Sequence, residues 1–290
     1  MKIVESRNEL EITGVSDFNL TKTLMCGQCF RWNKDDSDAY TGIAYGKATK
    51  IRQVADKIVI TSSIKDFETI WRKYFDLDRN YKKIRQKLCI DDFMKRATAF
   101  GAGIRILRQD KWEALCSFII SQNNSIKRIE SIIDNLCRVF GDAITFDGKQ
   151  MYTFPSAKRL AEAGIDALSS LRCGYRAEYI IKAAKMVADG KIDLEALAKK
   201  ASDTTCSELK QLHGVGDKVA NCVMLFGFHM LDVFPQDVWI KRAIMANYGS
   251  GFDPKIFSPY AGIAQQYIFY YVRSLNPLNH ALSSKGFLLT

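Results

Sequence analysis

Apolar and polar positions alternate along residues 40–63. Three short runs rich in β-branched and aromatic side chains, Tyr40 to Tyr45, Ala48 to Val54 and Ile58 to Ser63, are separated there by Gly46-Lys47 and Ala55-Asp56-Lys57. A two-residue period broken by such turn residues predicts antiparallel hairpins. The period then lengthens: Phe67, Ile70, Trp71 and Tyr74 recur at helical spacing, as in one helix that closes the sheet. From about residue 96 the pattern is helical and stays so. Ile126, Ile129, Ile133, Leu136 and Phe140 step by three and four and stop at Gly141, the signature of an amphipathic helix with its C-terminal signal. Ser156 to Gly164 and Glu178 to Asp189 read as further helices. Ser258-Pro259 predicts an N-cap followed by proline at the first helical position, with the helix running from Tyr260 to Ser274. The expected fold class is α+β: an antiparallel sheet domain with its closing helix over residues 1–95, then mostly helical domains over 96–290, without repeats or low-complexity segments.

The richest stretch runs from Cys206 to Ala243 and reads as helix, tight turn, helix, loop, helix, with a helix-hairpin-helix over 206–228. His213-Gly214-Val215-Gly216-Asp217 carries two glycines where one helix stops and another begins. Glycine lets a phosphate approach the backbone, and the first N–H groups of a helix have no partner inside it, so this corner can hold an anion. Lys218 falls in the first turn of the second helix, where the positive end of the dipole disfavours a cation. A neutral amine is a nucleophile, although a lysine here could equally touch DNA phosphate. Asp237, after Phe234-Pro235-Gln236 and before the periodic Val238-Trp239-Ile240, is placed as a carboxylate opening a third helix. A lysine and an aspartate, each at a helix start, can face one cleft.

Charge sharpens the choice of partner. The 290 residues carry a formal net charge of +10, which favours a polyanion and makes nucleic acid the first candidate. No apolar run reaches the length of a membrane span, and the start MKIVESRNEL is too polar for a signal peptide, so a soluble intracellular protein is expected. The eight cysteines are scattered, and Cys26-Gly27-Gln28-Cys29 alone has metal-like spacing. One such pair without a second is a poor zinc site, so reduced thiols are expected.

The pattern L-x-G-V-G-x-K-x-A from Leu212 to Ala220, followed by the P-x-D of Pro235 to Asp237, resembles the helix-hairpin-helix DNA glycosylase superfamily, in the branch with a catalytic lysine as well as the aspartate. More narrowly, the chain resembles the 8-oxoguanine DNA glycosylase family over nearly its whole length. The resemblance implies that Lys218 and Asp237 are catalytic. The GQ-x-FRW of Gly27 to Trp32 also matches. From the residues alone Gly27 is a bulge or turn glycine in a strand-like segment; the resemblance implies that its carbonyl meets the lesion base. Gln265 and Phe269 are four apart on one helix and Lys218 and Cys222 four apart on another. Taken singly, Phe269 and Cys222 are more often core residues, but in the family their counterparts sandwich the base while the amide reads its Watson–Crick edge.

In Ser121-Gln122-Asn123-Asn124-Ser125 the bland reading is helix capping; the family's Asn-rich turn implies that Asn123 enters the gap left by an extruded base. The resemblance further implies that Arg128 and Arg176 contact the orphaned cytosine and that Tyr175 wedges into the stack, where the plain reading is a helix-start turn with a solvated arginine. Gly214, Val215, Gly216 and Trp239 are the candidate phosphate contacts, Trp239 standing where many family members have histidine. A structural cation at the backbone of Lys210, Leu212 and Val215 is an optional implication. No cofactor and no catalytic metal are expected, and since Cys222 is the last cysteine, the iron–sulfur cluster of some relatives is not expected either. The implied activity is excision of 8-oxoguanine from double-stranded DNA with Schiff-base lyase cleavage, by a monomer that touches no membrane. It would be cytoplasmic and nucleoid-associated in a prokaryote, nuclear in a eukaryote. Two alternatives compete: an alkylpurine glycosylase of the same superfamily, which usually lacks the lysine, and a non-catalytic hairpin module that only binds DNA.

Overall fold

The computed structural model describes residues 1–275. Six antiparallel strands, β1 (Lys2–Ser6), β2 (Glu9–Thr13), β3 (Trp32–Lys34), β4 (Tyr40–Ala44), β5 (Lys47–Val54) and β6 (Lys57–Thr61), form one sheet in the order β1-β2-β6-β5-β4-β3. Registers Leu10↔Ile60 and Ile51↔Ile60 bring apolar members of the neighbouring strands β2, β6 and β5 onto one face. The β4–β5 turn uses Tyr45 and Gly46 at φ 51 and 72, a two-residue turn whose twist suits the flanking strands. The period at Phe67, Ile70, Trp71 and Tyr74 corresponds to one distorted helical segment, α2 (Ile64–Asp66), a π-helical turn (Phe67–Trp71) and α3 (Arg72–Tyr74). It lays Phe67, Trp71 and Tyr74 against the sheet, with Ile70 partly buried beside them.

The other helices are α1 (Leu20–Met25), which precedes β3, and α4 (Tyr81–Leu88), α5 (Asp92–Phe100), α6 (Lys111–Ile120), α7 (Ile126–Phe140), α8 (Ala157–Ser169), α9 (Arg176–Ala188), α10 (Leu194–Leu197), α11 (Ser202–Leu209), α12 (Asp217–Phe226), α13 (Val238–Tyr248) and α14 (Ala261–Ser274). The helices from α4 onward build a second core, which takes in Cys26, while Leu107 returns to the sheet core. Along the chain, residues of the sheet core give way to residues of the helical core between Leu77 and Tyr81. No helix among the described residues is long and apolar enough to cross a membrane.

Three expectations need correction. Residues 26–31 are not strand: α1 ends at Met25, Gly27 sits at φ +84 in the turn that follows, and β3 begins only at Trp32. The helical run after residue 96 is interrupted by a hairpin, β7 (Ala143–Phe146) and β8 (Lys149–Tyr152), whose Asp147-Gly148 turn was the available signal. The helix that begins at Ala157 does break at Gly164, at φ 79 and ψ 173, and a second helical stretch then runs on to Ser169. Finally, Ser258 ends a 3-10 turn (Pro254–Phe257), the Ser258-Pro259 bond is cis, and Tyr260 is the N-cap of α14, so the proline lies before the first helical turn and not in it.

The two cores meet across residues 103–109, where Arg105 is 1% exposed. Its guanidinium donates to Asp76 O at 2.6 Å, Arg79 O at 3.0 Å and Ser16 O at 2.6 Å, and lies 4.6 Å over the Tyr81 ring. Neutral carbonyls and an aromatic face thus take the place of water around a buried cation. Arg105→Met keeps the length but removes a donor from all three carbonyls, and leaves Ser16 O with none among the described residues. It should lower unfolding free energy by about 3 kcal/mol or more, measured by urea denaturation.

Candidate active site

Gly216 is the N-cap of α12 and has no side chain with which to cap, so the N–H groups of the first turn stay open. Lys218 emerges from that turn. Its Nζ donates to Ser121 Oγ at 3.2 Å and sits 5.6 Å over the Phe118 ring, both on the C-terminal turn of α6. Asp237 is the N-cap of α13: Oδ1 accepts from Ile240 N at 2.8 Å, which fixes the carboxylate, while Oδ2 accepts no hydrogen bond from a described residue. Lys218 and Asp237 line one cavity of about 60 Å³ together with Gly27, Cys222, Gln265 and Phe269, so all six residues expected around a base are brought together. The space admits a few waters.

The cavity walls differ in chemistry. Burial pushes the Cys222 thiol up, so it is a thiol at neutral pH and a face for packing, not a nucleophile. Gln265 is 5% exposed and its Oε1 has no hydrogen-bond partner, an orphaned acceptor that a base edge could satisfy. Gly27 needs its positive φ, and a Cβ there would stand 3.4 Å from Phe269 Cε1. The Arg273 guanidinium lies 5.3 Å from the Phe269 ring centroid.

In the hairpin the two glycines do different work. Gly214 is at φ +81 and a Cβ would meet Tyr179 Cδ2 at 2.2 Å, so it lets the Tyr179 ring of α9 close on the turn. Gly216 faces open space. Val215 N–H already donates to Leu212 O at 3.0 Å and Val215 is buried, so its amide is not open to a phosphate, unlike those of Gly214 and Gly216. The carbonyls of Lys210 and Val215 accept no hydrogen bond from described residues, and that of Leu212 accepts one, so this corner fits a cation held by backbone oxygens. Among the described residues no cluster of His, Cys, Asp or Glu could hold a metal.

A second surface lies beside the cavity. Asn123, at φ 46, and Arg128 are exposed on the turn and first turn after α6, and Tyr175 is 51% exposed at the start of α9. Arg176 departs from its expected role. It is 4% exposed, and its guanidinium donates to Asn123 O at 3.0 Å and from Nε to Gln122 O at 2.9 Å, with the Tyr175 ring stacked 4.4 Å away. It braces the Asn123 loop instead of reaching out. Trp239 lies outside the cavity, in a separate groove with Arg96 and Arg242. Ser121 and Phe118, the immediate neighbours of the lysine, carried no assigned role in the sequence, since nothing local links α6 to a helix almost a hundred residues later.

Residues 12–115 match the family model for the 8-oxoguanine DNA glycosylase N-terminal domain, and residues 116–255 that for the HhH-GPD superfamily base excision DNA repair protein. The chain is 34% identical over 259 residues to the N-glycosylase/DNA lyase of Saccharomyces cerevisiae, covering 80% of this chain and 69% of the yeast protein. The Clostridium acetobutylicum 8-oxoguanine glycosylase/lyase, solved with double-stranded DNA containing cytosine opposite 8-oxoG, superposes with a TM-score of 0.90 at 35% identity, over 95% of this chain and 99% of that one. The structure of MBOgg1 with a low-affinity DNA ligand gives 0.91 at 41% identity, over 94% and 98%.

The unequal glycines give a direct test. Gly214→Ala combines a strained φ with a clash against a packed ring and should cost about 2 kcal/mol or more, whereas Gly216→Ala should change stability by less than about 0.5 kcal/mol. Thermal unfolding of both variants checks this, and DNA affinity should fall for Gly216→Ala despite its intact fold.

Proposed function

The chain belongs to the 8-oxoguanine DNA glycosylase family of helix-hairpin-helix base-excision repair enzymes, and on that premise we propose that it excises 8-oxoguanine from duplex DNA and then cleaves the strand, with Lys218 as nucleophile and Asp237 as its partner. The observation that carries this reading is one cavity lined by an amine, a carboxylate, an orphaned amide oxygen, a ring and a glycine. A base inside the helix cannot reach such a cavity, so the damaged nucleotide is flipped out, at a cost of a few kcal/mol that phosphate and wedge contacts offset. Open N–H groups of Gly214 and Gly216 hold a backbone phosphate, Tyr175 and Asn123 fill the vacated stack, and Arg128 addresses the cytosine left behind.

In the cavity the base lies between Cys222 and Phe269. Gln265 Oε1 takes the donors of the Watson–Crick edge, N1–H and N2–H. Lys218 Nζ attacks C1′ as the C1′–N9 bond breaks, and the base leaves with the bonding electrons. The sugar gains oxocarbenium character as this happens, and Asp237 stabilises it through an oxygen not engaged in capping α13. Loss of a proton from Nζ and opening of the ring give a Schiff base at C1′. Removal of a C2′ proton then expels the 3′ phosphate and cuts the strand. A duplex substrate places the enzyme with the genome, in the nucleoid or the nucleus.

Incubation with duplex carrying a single 8-oxoguanine, followed by borohydride, should give a covalent adduct. Base release without an adduct would instead indicate an alkylpurine-type glycosylase, and an intact strand a DNA-binding module. Lys218→Gln should keep lesion binding and lose both cleavage and trapping; residual trapping would assign the nucleophile to another amine. Arg128→Ala should erode the preference for cytosine opposite the lesion more than total affinity, and equal losses opposite all four bases would make it a phosphate contact.

A further inference from the structure

Gly27 is held from both sides by glutamines outside its own segment. Gln266 Nε2, on α14, donates to Cys26 O at 2.9 Å, and Gln109 Nε2, just before α6, donates to Gln28 O at 2.6 Å. Between these two occupied carbonyls, that of Gly27 accepts no hydrogen bond from any described residue, and Gly27 lines the cavity. The glutamines are 2% and 6% exposed, so water does not compete for their amides. The segment is pinned a third time by Gln28, fully buried, whose Nε2 donates to Thr23 O and Arg105 O, each at 2.8 Å, and whose Oε1 accepts from Leu107 N at 2.9 Å. Gln109 N in turn donates to Phe226 O at the end of the lysine helix, at 3.0 Å.

We propose that Gln266 and Gln109 are specificity-determining positioning residues, which fix the peptide planes either side of the Gly27–Gln28 peptide and thereby hold the Gly27 carbonyl as a rigid acceptor for a donor on the flipped base. This rests on the reading of the substrate as 8-oxoguanine. Guanine presents a lone pair at N7, whereas oxidation at C8 leaves a proton there, so the two bases differ in sign at that atom. A carbonyl that can rotate would turn away from the guanine lone pair and lose the distinction. Clamped, it gains a hydrogen bond from the lesion and meets repulsion from guanine. Gln109 lies off the cavity, and Gln266, although it also lines it, spends an amide N–H on the loop, so α14 serves both functions from adjacent residues, Gln265 toward the base and Gln266 toward the loop.

The test is single-turnover excision of 8-oxoguanine and of guanine opposite cytosine by Gln266→Met and Gln109→Met, together with cleavage of duplex carrying a preformed abasic site. Each variant should lower the 8-oxoguanine-to-guanine ratio about tenfold or more, since a carbonyl released on one side can turn away from the guanine lone pair. Abasic DNA has no base for the carbonyl to read, so its cleavage should stay within about twofold of the parent's. An unchanged ratio in either variant overturns the proposal. So does equal loss of excision and abasic cleavage in both, which would make the glutamines general supports of the fold. The parent's own excision of 8-oxoguanine tests the substrate independently of this clamp.

Discussion

Two apolar cores in one chain must meet, and here they meet through backbone rather than through oil. Residues 103–109 pass between the sheet core and the helical core, where each buried peptide group needs a partner that water cannot supply. Gly103 O accepts from Asn19 N at 2.8 Å, Arg105 O from Gln28, and Leu107 N donates to Gln28 Oε1. Arg105 answers from its side chain with bonds to three carbonyls. The seam is therefore densely cross-bonded, with Arg105 Nε left as a buried donor that has no partner. An amide side chain serves it well because it both donates and accepts without carrying a charge whose burial would cost far more.

The candidate site inherits its rigidity from that seam. Gly27 lies one residue from Gln28, and its neighbours' carbonyls are tied to α14 and to the segment entering α6. Lys218 rests against the other end of α6 through Ser121 and Phe118. One helix thus relates the base-reading loop to the nucleophile. The Ser121 hydroxyl has a single proton, donated to Phe118 O at 2.8 Å, so its oxygen is left to accept from Nζ. Where the amine points is decided by this pair as much as by α12.

The face that would meet the opposite strand follows another logic. Asn123 stands at φ 46, a conformation asparagine tolerates better than most residues, and its exposed loop is held from behind by the buried guanidinium of Arg176. A protruding residue can enter a base stack only if its support does not yield. The brace explains why an arginine lies next to an exposed tyrosine while facing inward.

Much of this was legible in the chain. Two glycines before a lysine and a proline before an aspartate mark helix starts, because capping chemistry is local; Lys218 and Asp237 fall where that chemistry puts them. The spacings of Gln265 with Phe269 and of Lys218 with Cys222 foretold shared faces, since four residues are close to one helical turn. The β4 to β6 hairpins followed from their alternation for the same reason. What the sequence did not contain was long-range pairing. Residues 25–32 look strand-like by composition, yet 26–31 form a turn, in which buried glutamines from distant segments bind the carbonyls of Cys26 and Gln28. Arg176 reads as a surface cation, and only the packing of α9 against the Asn123 loop makes it a brace. Gln266 is one residue from a recognisable site and gives no local sign of its task, for its partner lies 240 positions away. Local capping and periodicity are set by neighbours along the chain, whereas the partner of a buried polar group is set by which segments the folded cores bring together.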